Sequence, residues 1–324
     1  MCIRRFVVSA LCGGAVVLMA ARARAQLYVA NFTSVSEYNA GSGAAIKTSL
    51  ITGIEPNCIV ASGANLFISN DAGDSVGEYN ESSGSAVNAS FISGLVFPAG
   101  VVLVNGDLLV ANQQGNTIGE YNATTGAPVN TSFISGLDGP QTLALSGNDL
   151  FVSDYASGKI GVYNATTGAV INASLVTGLI SPDGIALDGD GHLFVANNGA
   201  GTVGEYDATS GAALHTSFIS GLDQPNGLTI YGNNLLVANQ GSDVVGEYNE
   251  ATGAAVNPNF ITGLGNPEGI TIVPEPGSMS LAAMAAFGLL ARRRRRAICE
   301  RHIGNATIRN GSPLSCSNST MKPI

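Results

Sequence analysis

A unit of about 42 residues recurs six times along the chain, and this repeat limits the possible folds more than any other feature. A fixed period of this length is typical of solenoids and propellers. The copies show no hydrophobic period of 3.6 residues, which excludes a helical repeat. The six copies begin at Leu27, Leu66, Leu108, Leu150, Leu193 and Leu235.

Each copy contains four β-strand signals. The copy at Leu193 starts with LFVAN, a short apolar run ended by a turn residue, and continues with TVGEYD, which alternates. A turn rich in small polar residues follows, and then a partly alternating strand ending in SFISGL. A proline-led run, such as PDGIAL at Pro182, supplies the fourth strand. Four strands in about 40 residues predict a propeller blade.

The phase of the repeat predicts how the ring closes. The proline-led strand is expected to be innermost, because its small residues suit the crowded axis. The first copy starts at Leu27, one strand late, and the last is followed by one extra proline-led strand over 267–272. This last strand is therefore expected to complete the first blade, which leaves no open seam. The sequence predicts an all-β, six-bladed propeller over 26–272.

Charge is sharply segregated along the chain. Between Gln26 and Ile272 there are two lysines, Lys47 and Lys159, against 21 acidic residues, which gives that body a formal charge of −19. Such a field repels nucleic acid and anionic lipid and attracts cations. We therefore expect no nucleic-acid partner.

The N-terminus reads MCIRRFVVSALCGGAVVLMAARARA. It has a basic start at Arg4 and Arg5, an apolar run over 6–20 and an A-x-A pattern that ends at Ala25. These three parts predict a secretory signal peptide over 1–25, cut after Ala25. The alternative is an uncleaved N-terminal anchor.

The C-terminal stretch VPEPGSMSLAAMAAFGLLARRRRR, residues 273–296, differs from the rest of the chain. The apolar run over 278–291 is shorter than the roughly 20 residues that span a bilayer comfortably, and arginines at its far end favour the cytoplasmic side. The order of Pro-Glu-Pro, apolar helix and arginine cluster resembles the PEP-CTERM sorting signal, also catalogued as an ice-binding-protein C-terminal domain. Its motif residues here are Pro274, Glu275, Pro276, Arg292, Arg293, Arg294, Arg295 and Arg296.

The resemblance implies a partner and a destination. In the PEP-CTERM family an exosortase, a membrane protease-transpeptidase, cuts near the Pro-Glu-Pro, and the body goes to the cell surface or the exopolysaccharide matrix. We therefore expect transient inner-membrane anchoring through a short C-terminal helix. An ordinary tail anchor is the alternative. Residues 297–324 continue past the usual end of the family pattern and are expected to form a disordered polar tail.

The body motifs P-x-G-I-A, L-F-V-A-N and V-G-E-Y resemble those of the NHL and gluconolactonase-like six-bladed propellers. In that family, Asn and Asp in Pro-Asn-Gly and Pro-Asp-Gly motifs ligate a divalent metal that polarises a lactone. The matching positions here are Asn226 and Asp183, with Glu268 a looser match. The motifs are degenerate, so the resemblance indicates the fold more strongly than an activity.

The residue directly after each proline varies among the copies and should rim one mouth of the central channel. Asp183, Asn226, Glu268 and Asn57 offer oxygen atoms there, which suit a hard cation such as Ca²⁺. The alternative is that these are turn-forming polar residues at strand starts.

A tyrosine recurs in the second strand signal of every copy. A functional interpretation is a ring of sugar-stacking sites, and the alternative is packing between blades. We favour packing, because every blade must fill the same space against its neighbour with a large side chain. The tyrosines are Tyr38, Tyr79, Tyr121, Tyr163, Tyr206 and Tyr248.

No catalytic residues are predicted. The body has only His192 and His215, expected in a hairpin turn and an outer strand, and it lacks G-x-S-x-G, H-E-x-x-H and phosphate-loop motifs. Several N-x-[ST] sequences, including those at Asn88, Asn130 and Asn172, are attributed to turn propensity.

The sequence thus predicts an exported propeller that binds or scaffolds at the cell surface, with matrix polysaccharide or surface proteins as partners. The alternative is a divalent-metal-dependent lactonase-type hydrolase or lyase acting at the channel mouth.

Overall fold

The computed structural model describes residues Ala25–Pro274, which form six antiparallel sheets of four strands each. Each sheet is one blade. The innermost strands of neighbouring blades contact one another in a closed order around the axis. The predicted six-bladed propeller is confirmed.

The strands of the first three blades run as follows. Blade 1 contains β1 (Gln26–Asn31), β2 (Ser34–Asn39), β3 (Ala45–Thr52) and the last strand, β24 (Ile270–Val273). Blade 2 contains β4 (Pro56–Ser62), β5 (Asn65–Asn70), β6 (Ser75–Asn80) and β7 (Ala86–Ser93). Blade 3 contains β8 (Pro98–Val104), β9 (Asp107–Asn112), β10 (Thr117–Asn122) and β11 (Pro128–Ser135).

The other three blades repeat this plan, with one short 3-10 turn at Asn198–Ala200. Blade 4 contains β12 (Pro140–Ser146), β13 (Asp149–Asp154), β14 (Lys159–Asn164) and β15 (Val170–Thr177). Blade 5 contains β16 (Pro182–Leu187), β17 (His192–Asn197), β18 (Thr202–Asp207) and β19 (Ala213–Ser220). Blade 6 contains β20 (Pro225–Tyr231), β21 (Asn234–Asn239), β22 (Val244–Asn249) and β23 (Ala255–Ile261).

The last strand closes the first blade, as the phase of the repeat predicts. Strand β24 pairs antiparallel with β1, with Ile272 opposite Leu27 and Ile270 opposite Val29. The strand is shorter than expected, since it begins at Ile270 rather than at Pro267. The residues before it still reach the sheet, because the Glu268 amide donates to the Ala30 carbonyl at 2.9 Å.

The glycine of the Pro-x-Gly motif lets neighbouring inner strands approach closely. A Cβ atom on Gly184 would collide with the backbone of Asn226, and one on Gly227 would collide with that of Glu268. The expected crowding at the axis is therefore confirmed, and glycine fits there because it has no side chain.

The hydrophobic core lies between blades rather than within them. The second strand of each blade is almost wholly buried, and its two faces contact the blades on either side. Phe194 of blade 5 and Val237 of blade 6, for example, belong to one buried cluster. The outermost strands show the opposite pattern, five exposed residues followed by two buried ones in β7 and β15.

Within Ala25–Pro274 no helix has the length and apolar character needed to cross a membrane. The predicted apolar sorting helix over 278–291 and the predicted signal peptide up to residue 24 lie outside the described residues.

Candidate functional site: the channel mouth

Two concentric rings of side chains surround one mouth of the channel. The inner ring is formed by the residue after each proline, where the innermost strand begins. Because adjacent strands are antiparallel, the loop after each second strand returns to the same mouth. The outer ring is formed by the first residue of that loop. The inner ring comprises Asn57, Ala99, Gln141, Asp183, Asn226 and Glu268, and the outer ring Phe32, Asp71, Gln113, Tyr155, Asn198 and Gln240.

Backbone hydrogen bonds hold the outer ring in place. The amide of Asp71 donates to the Glu55 carbonyl at 3.0 Å, and the amide of Gln240 donates to the Gln224 carbonyl at 3.0 Å. The same bond recurs in blades 3, 4 and 5, and in blade 1 the Phe32 amide donates to the Gly265 carbonyl at 2.9 Å, one residue earlier relative to the proline. The repeat itself therefore fixes where these side chains start, while their chemical type varies from blade to blade.

Side-chain hydrogen bonds join the two rings. Gln240 Nε2 of blade 6 donates to Glu268 Oε1 of blade 1 at 3.2 Å. Gln113 of blade 3 donates in the same way to Gln141 of blade 4. Within blade 2, Asn57 Nδ2 lies 3.4 Å from Asp71 Oδ2. The first two bonds join neighbouring blades, and the third lies within one blade.

Three carboxyl groups gather at this mouth, and burial dominates their titration. Asp183 is 4% exposed, and burial raises its pKa to about 7, against a hydrogen bond from Gln141. Burial raises the pKa of Glu268 to about 8, helped by the charges of Asp71 and Asp183 and opposed by the bond from Gln240.

Asp71 is the third member of this group. Burial raises its pKa to about 6, the hydrogen bond from Asn57 opposes the shift, and the charges of Glu55 and Asp74 add to it. Its Oδ1 atom is buried without a hydrogen-bond partner. Within residues 25–274 no lysine or arginine forms a salt bridge with any of the three carboxyl groups. The mouth therefore holds three carboxyl groups that have no basic partner among the described residues. We call them the mouth cluster (Asp71, Asp183 and Glu268).

The predicted metal ligands all lie on the inner ring. Asp183 and Glu268 are close enough for their charges to interact, whereas the Asn57 amide is turned toward Asp71. Asn226 is 8% exposed. In the described part of the chain no three His, Cys, Asp or Glu side chains are grouped as a metal site would need. Metal binding by this set of two carboxyl groups and two amides stays a prediction.

Sequence reasoning missed Asp71. It follows the second strand of blade 2, at a position that holds Phe, Asp, Gln, Tyr, Asn and Gln in the six copies. Variation at a fixed place in the repeat, the same signal that identified the inner ring, could have found it.

The repeated tyrosines are packing residues. Each is buried, and in five blades its ring lies over the glycine two residues earlier, where a Cβ atom on Gly119 would lie 2.7 Å from Tyr121 Cε2. In blade 1 a serine, Ser36, occupies this place and accepts from Asn31 Nδ2 at 3.0 Å. Buried rings of this kind leave no face for stacking on a sugar.

The two histidines lie away from the mouth cluster. His192 is the first residue of β17, one step beyond the hairpin in which it was expected, and its Nδ1 lies 2.6 Å from Asp188 Oδ2. His215 lies on the outer strand, as expected, with its Nδ1 2.7 Å from Glu205 Oε2.

Residues 273–296 match the PEP-CTERM protein-sorting motif. This match confirms the resemblance seen in the sequence. The motif implies an exported precursor, anchored to the membrane at its C-terminus and processed by an exosortase. No curated protein matches the chain.

Solved structures of the same fold are similar to the body. A chain of the nidogen/laminin complex has 16% identity and a TM-score of 0.67, covering 76% of this chain and 98% of its own. A putative 6-phosphogluconolactonase from Bacteroides fragilis has 14% identity and a TM-score of 0.58, covering 78% and 98%. A catalytically inactive virginiamycin B lyase from Staphylococcus aureus, solved with quinupristin, has 17% identity and a TM-score of 0.55, covering 79% and 94%. At these identities the likeness shows the propeller fold alone.

Proposed function

We propose that the protein is a binding or scaffold module of the cell surface or extracellular matrix, and that its partner docks at the channel mouth. The mouth cluster is the observation that carries this proposal. Burial raises the pKa of all three carboxyl groups, and the charges of Asp71 and Asp183 raise that of Glu268 further. Within the described residues no lysine or arginine forms a salt bridge with any of them. Carboxyl groups whose pKa values are strongly perturbed by burial and by neighbouring charges mark a candidate functional site. A ligand that brings positive charge would favour their ionised form.

The surrounding charge supports the same partner chemistry. The body carries a formal charge of −19, so its field draws cationic groups toward the protein from a distance. The rim also carries Phe32, an aromatic side chain that is 53% exposed, next to polar amides. A matrix polysaccharide or surface protein that presents ammonium or guanidinium groups fits this mouth.

Retention on the matrix of the producing cells tests the proposal. A variant with Asp71→Asn, Asp183→Asn and Glu268→Gln should bind that matrix at least tenfold more weakly than the unmodified protein. The matched control changes three acidic residues at the other end of the blades, Asp107, Asp149 and Asp190, to asparagine. Equal loss in both variants would mean that net charge, and not the mouth, drives binding.

The second candidate is a divalent-metal-dependent hydrolase or lyase. It is favoured by the inner ring of Asn57, Asp183, Asn226 and Glu268, whose oxygen atoms suit a hard cation, and by the fold shared with a putative lactonase and a lyase. A bound divalent cation would polarise a lactone carbonyl at this mouth. Calcium-dependent stabilisation against unfolding tests this candidate.

A further inference from the structure

Three identical sequence patterns lie on the outer wall of the propeller. Asn88-Ala-Ser, Asn130-Thr-Ser and Asn172-Ala-Ser occupy the same place on the outermost strands β7, β11 and β15 of three consecutive blades. All nine residues are exposed. Sequence reasoning attributes these patterns to turns, but the structure places them on edge strands.

A bulge lifts each pattern out of regular strand pairing. In blade 2, Val76 pairs with Ile92 and Glu78 pairs with Asn88, so three outer residues lie opposite the single residue Gly77. The same shift occurs in blades 3 and 4. An extra stretch of this kind bends the strand and leaves its residues outside the ladder. The asparagine therefore stands at the start of an accessible loop-like segment of the edge.

The asparagine side chain itself shapes this segment. Asn88 Oδ1 accepts from the amide of Ser90 at 3.2 Å, and Asn130 and Asn172 make the same bond to Ser132 and Ser174 at 3.1 Å. This is an Asx turn. No Nδ2 atom of the three asparagines donates a hydrogen bond to another described residue, so each NH₂ group faces solvent. A hydrogen bond to the amide oxygen also makes the Nδ2 protons more acidic.

We propose that Asn88, Asn130 and Asn172 are acceptor sites for N-linked glycans. An exposed Asn-x-Ser in an exported protein is the substrate pattern for this modification. The donor is a sugar carried on a polyprenyl pyrophosphate outside the cytoplasm. The Nδ2 atom forms a bond to the anomeric carbon, the bond from that carbon to the pyrophosphate oxygen breaks, the pyrophosphate leaves with the electron pair, and a base of the transferase takes the Nδ2 proton.

A second set of Asn-x-[Ser/Thr] patterns serves as an internal contrast. Asn80 and Asn122 lie in the turns between third and fourth strands and are half-buried. Asn122 Oδ1 accepts from the amides of Thr124 and Thr125, while its Nδ2 lies 3.5 Å from Asp107 Oδ1. Asn80 Nδ2 is likewise directed at the Ala64 carbonyl. Asn164, at the same place in blade 4, is also half-buried, and its Oδ1 accepts from the amides of Thr166 and Thr167. Because these three side chains are half-buried and each oxygen accepts turn hydrogen bonds, we assign them to turn formation alone.

Blade 6 provides a natural control. Asn257 is exposed and accepts from the Asn259 amide at 3.3 Å, in the same bulge. Pro258 and Asn259 follow it, so it lacks the Ser or Thr hydroxyl that the acceptor pattern needs and has the proline that the pattern excludes. Blades 1 and 5 carry Lys47 and His215 at this place. The proposed glycans therefore cover the wall of blades 2, 3 and 4 only.

Peptide mass spectrometry of the exported protein, recovered from the outside of the cells that produce it, tests the proposal. Peptides with Asn88, Asn130 and Asn172 should carry sugar masses, and the peptide with Asn257 should not. Each of Asn88→Gln, Asn130→Gln and Asn172→Gln should remove one glycan. Ser90→Ala should also remove the glycan from Asn88 while leaving the asparagine in place. The pair Pro258→Thr and Asn259→Ser should add a glycan to Asn257.

Two results would overturn the proposal. One is unmodified asparagine at all three positions in exported protein. The other is sugar that persists on the same peptides after Asn→Gln substitution, which would place it on a hydroxyl group. Thermal unfolding of each variant checks its folding, and because the substituted side chains are exposed, we expect midpoints close to that of the parent.

Discussion

The ring of Tyr121 lies directly over Gly119, two residues earlier on the same strand, and a Cβ atom there would be 2.7 Å from the ring carbon Cε2. The Tyr121 ring has little room to move away, because it is 5% exposed and packs within a buried cluster that joins blades 2 and 3. Gly119→Ala should therefore overpack the interface and lower the free energy of unfolding by about 1–3 kcal/mol. Chemical denaturation measures this loss.

Gly189→Ala is the matched control for that substitution. Gly189 has nothing within 4 Å of a Cβ position and no left-handed backbone angle. The free energy of unfolding of this variant should stay within about 0.5 kcal/mol of the parent value. Equal effects of the two substitutions would contradict the packing role of the tyrosine.

Closure of the ring by β24 makes a second prediction. Ile270 is 9% exposed and belongs to the cluster that contains Leu27 and Val29 of blade 1 and Leu236 of blade 6. Ile270→Ala should lower the free energy of unfolding by about 2–5 kcal/mol, because it leaves a cavity where the ring closes. Ile46→Ala, on an outer strand where the side chain is 49% exposed, is the control and should have little effect. A small effect at Ile270 would mean that the last strand is not needed to hold the ring together.

The repeat allowed the blade number and the closing strand to be predicted from the sequence, because both depend on local patterns that recur. The mouth cluster could be predicted only in part. Asp183 and Glu268 follow a proline, which marks their place, but Asp71 comes close to them only through the antiparallel return of the next strand and the curvature of the ring. The outer-wall bulges were also missed. Their cause is the pairing of three outer residues with one glycine, and no residue of the outer strand alone reveals it.

Stability should fall as pH rises through the range in which the mouth cluster ionises. The folded-state pKa values of Asp183 and Glu268, about 7 and about 8, lie above the ordinary values of 3.8 and 4.5 for Asp and Glu. Between about pH 4 and pH 8 the folded state thus binds more protons than the unfolded state, and the free energy of unfolding decreases with increasing pH. We expect the unfolding midpoint in EDTA to be lower at pH 8.5 than at pH 5.5.

Substitution assigns this pH dependence to the cluster. Glu268→Gln removes one ionising group and keeps the acceptor for Gln240, so it should flatten the curve and raise stability at pH 8.5 relative to the parent. Asp149→Asn, on an exposed residue at the opposite end of the blade, should leave the slope unchanged. An unfolding midpoint of the parent protein that rises from pH 5.5 to pH 8.5 would contradict the raised pKa values of the mouth cluster.

The metal-dependent candidate makes the sharpest prediction. If Asp183, Asn226, Glu268 and Asn57 bind Ca²⁺, millimolar Ca²⁺ added after EDTA should raise the unfolding midpoint, since binding to the folded state adds about 2.7 kcal/mol at one hundred times the Kd. The shift should vanish in Asp183→Ala and persist in Asp149→Asn, which removes a charge of the same type far from the mouth. A shift that survives Asp183→Ala would place the cation elsewhere on the acidic surface. No shift in the parent protein would reject both the metal site and the lactonase or lyase candidate, and would leave the mouth cluster to a partner that brings its own positive charge.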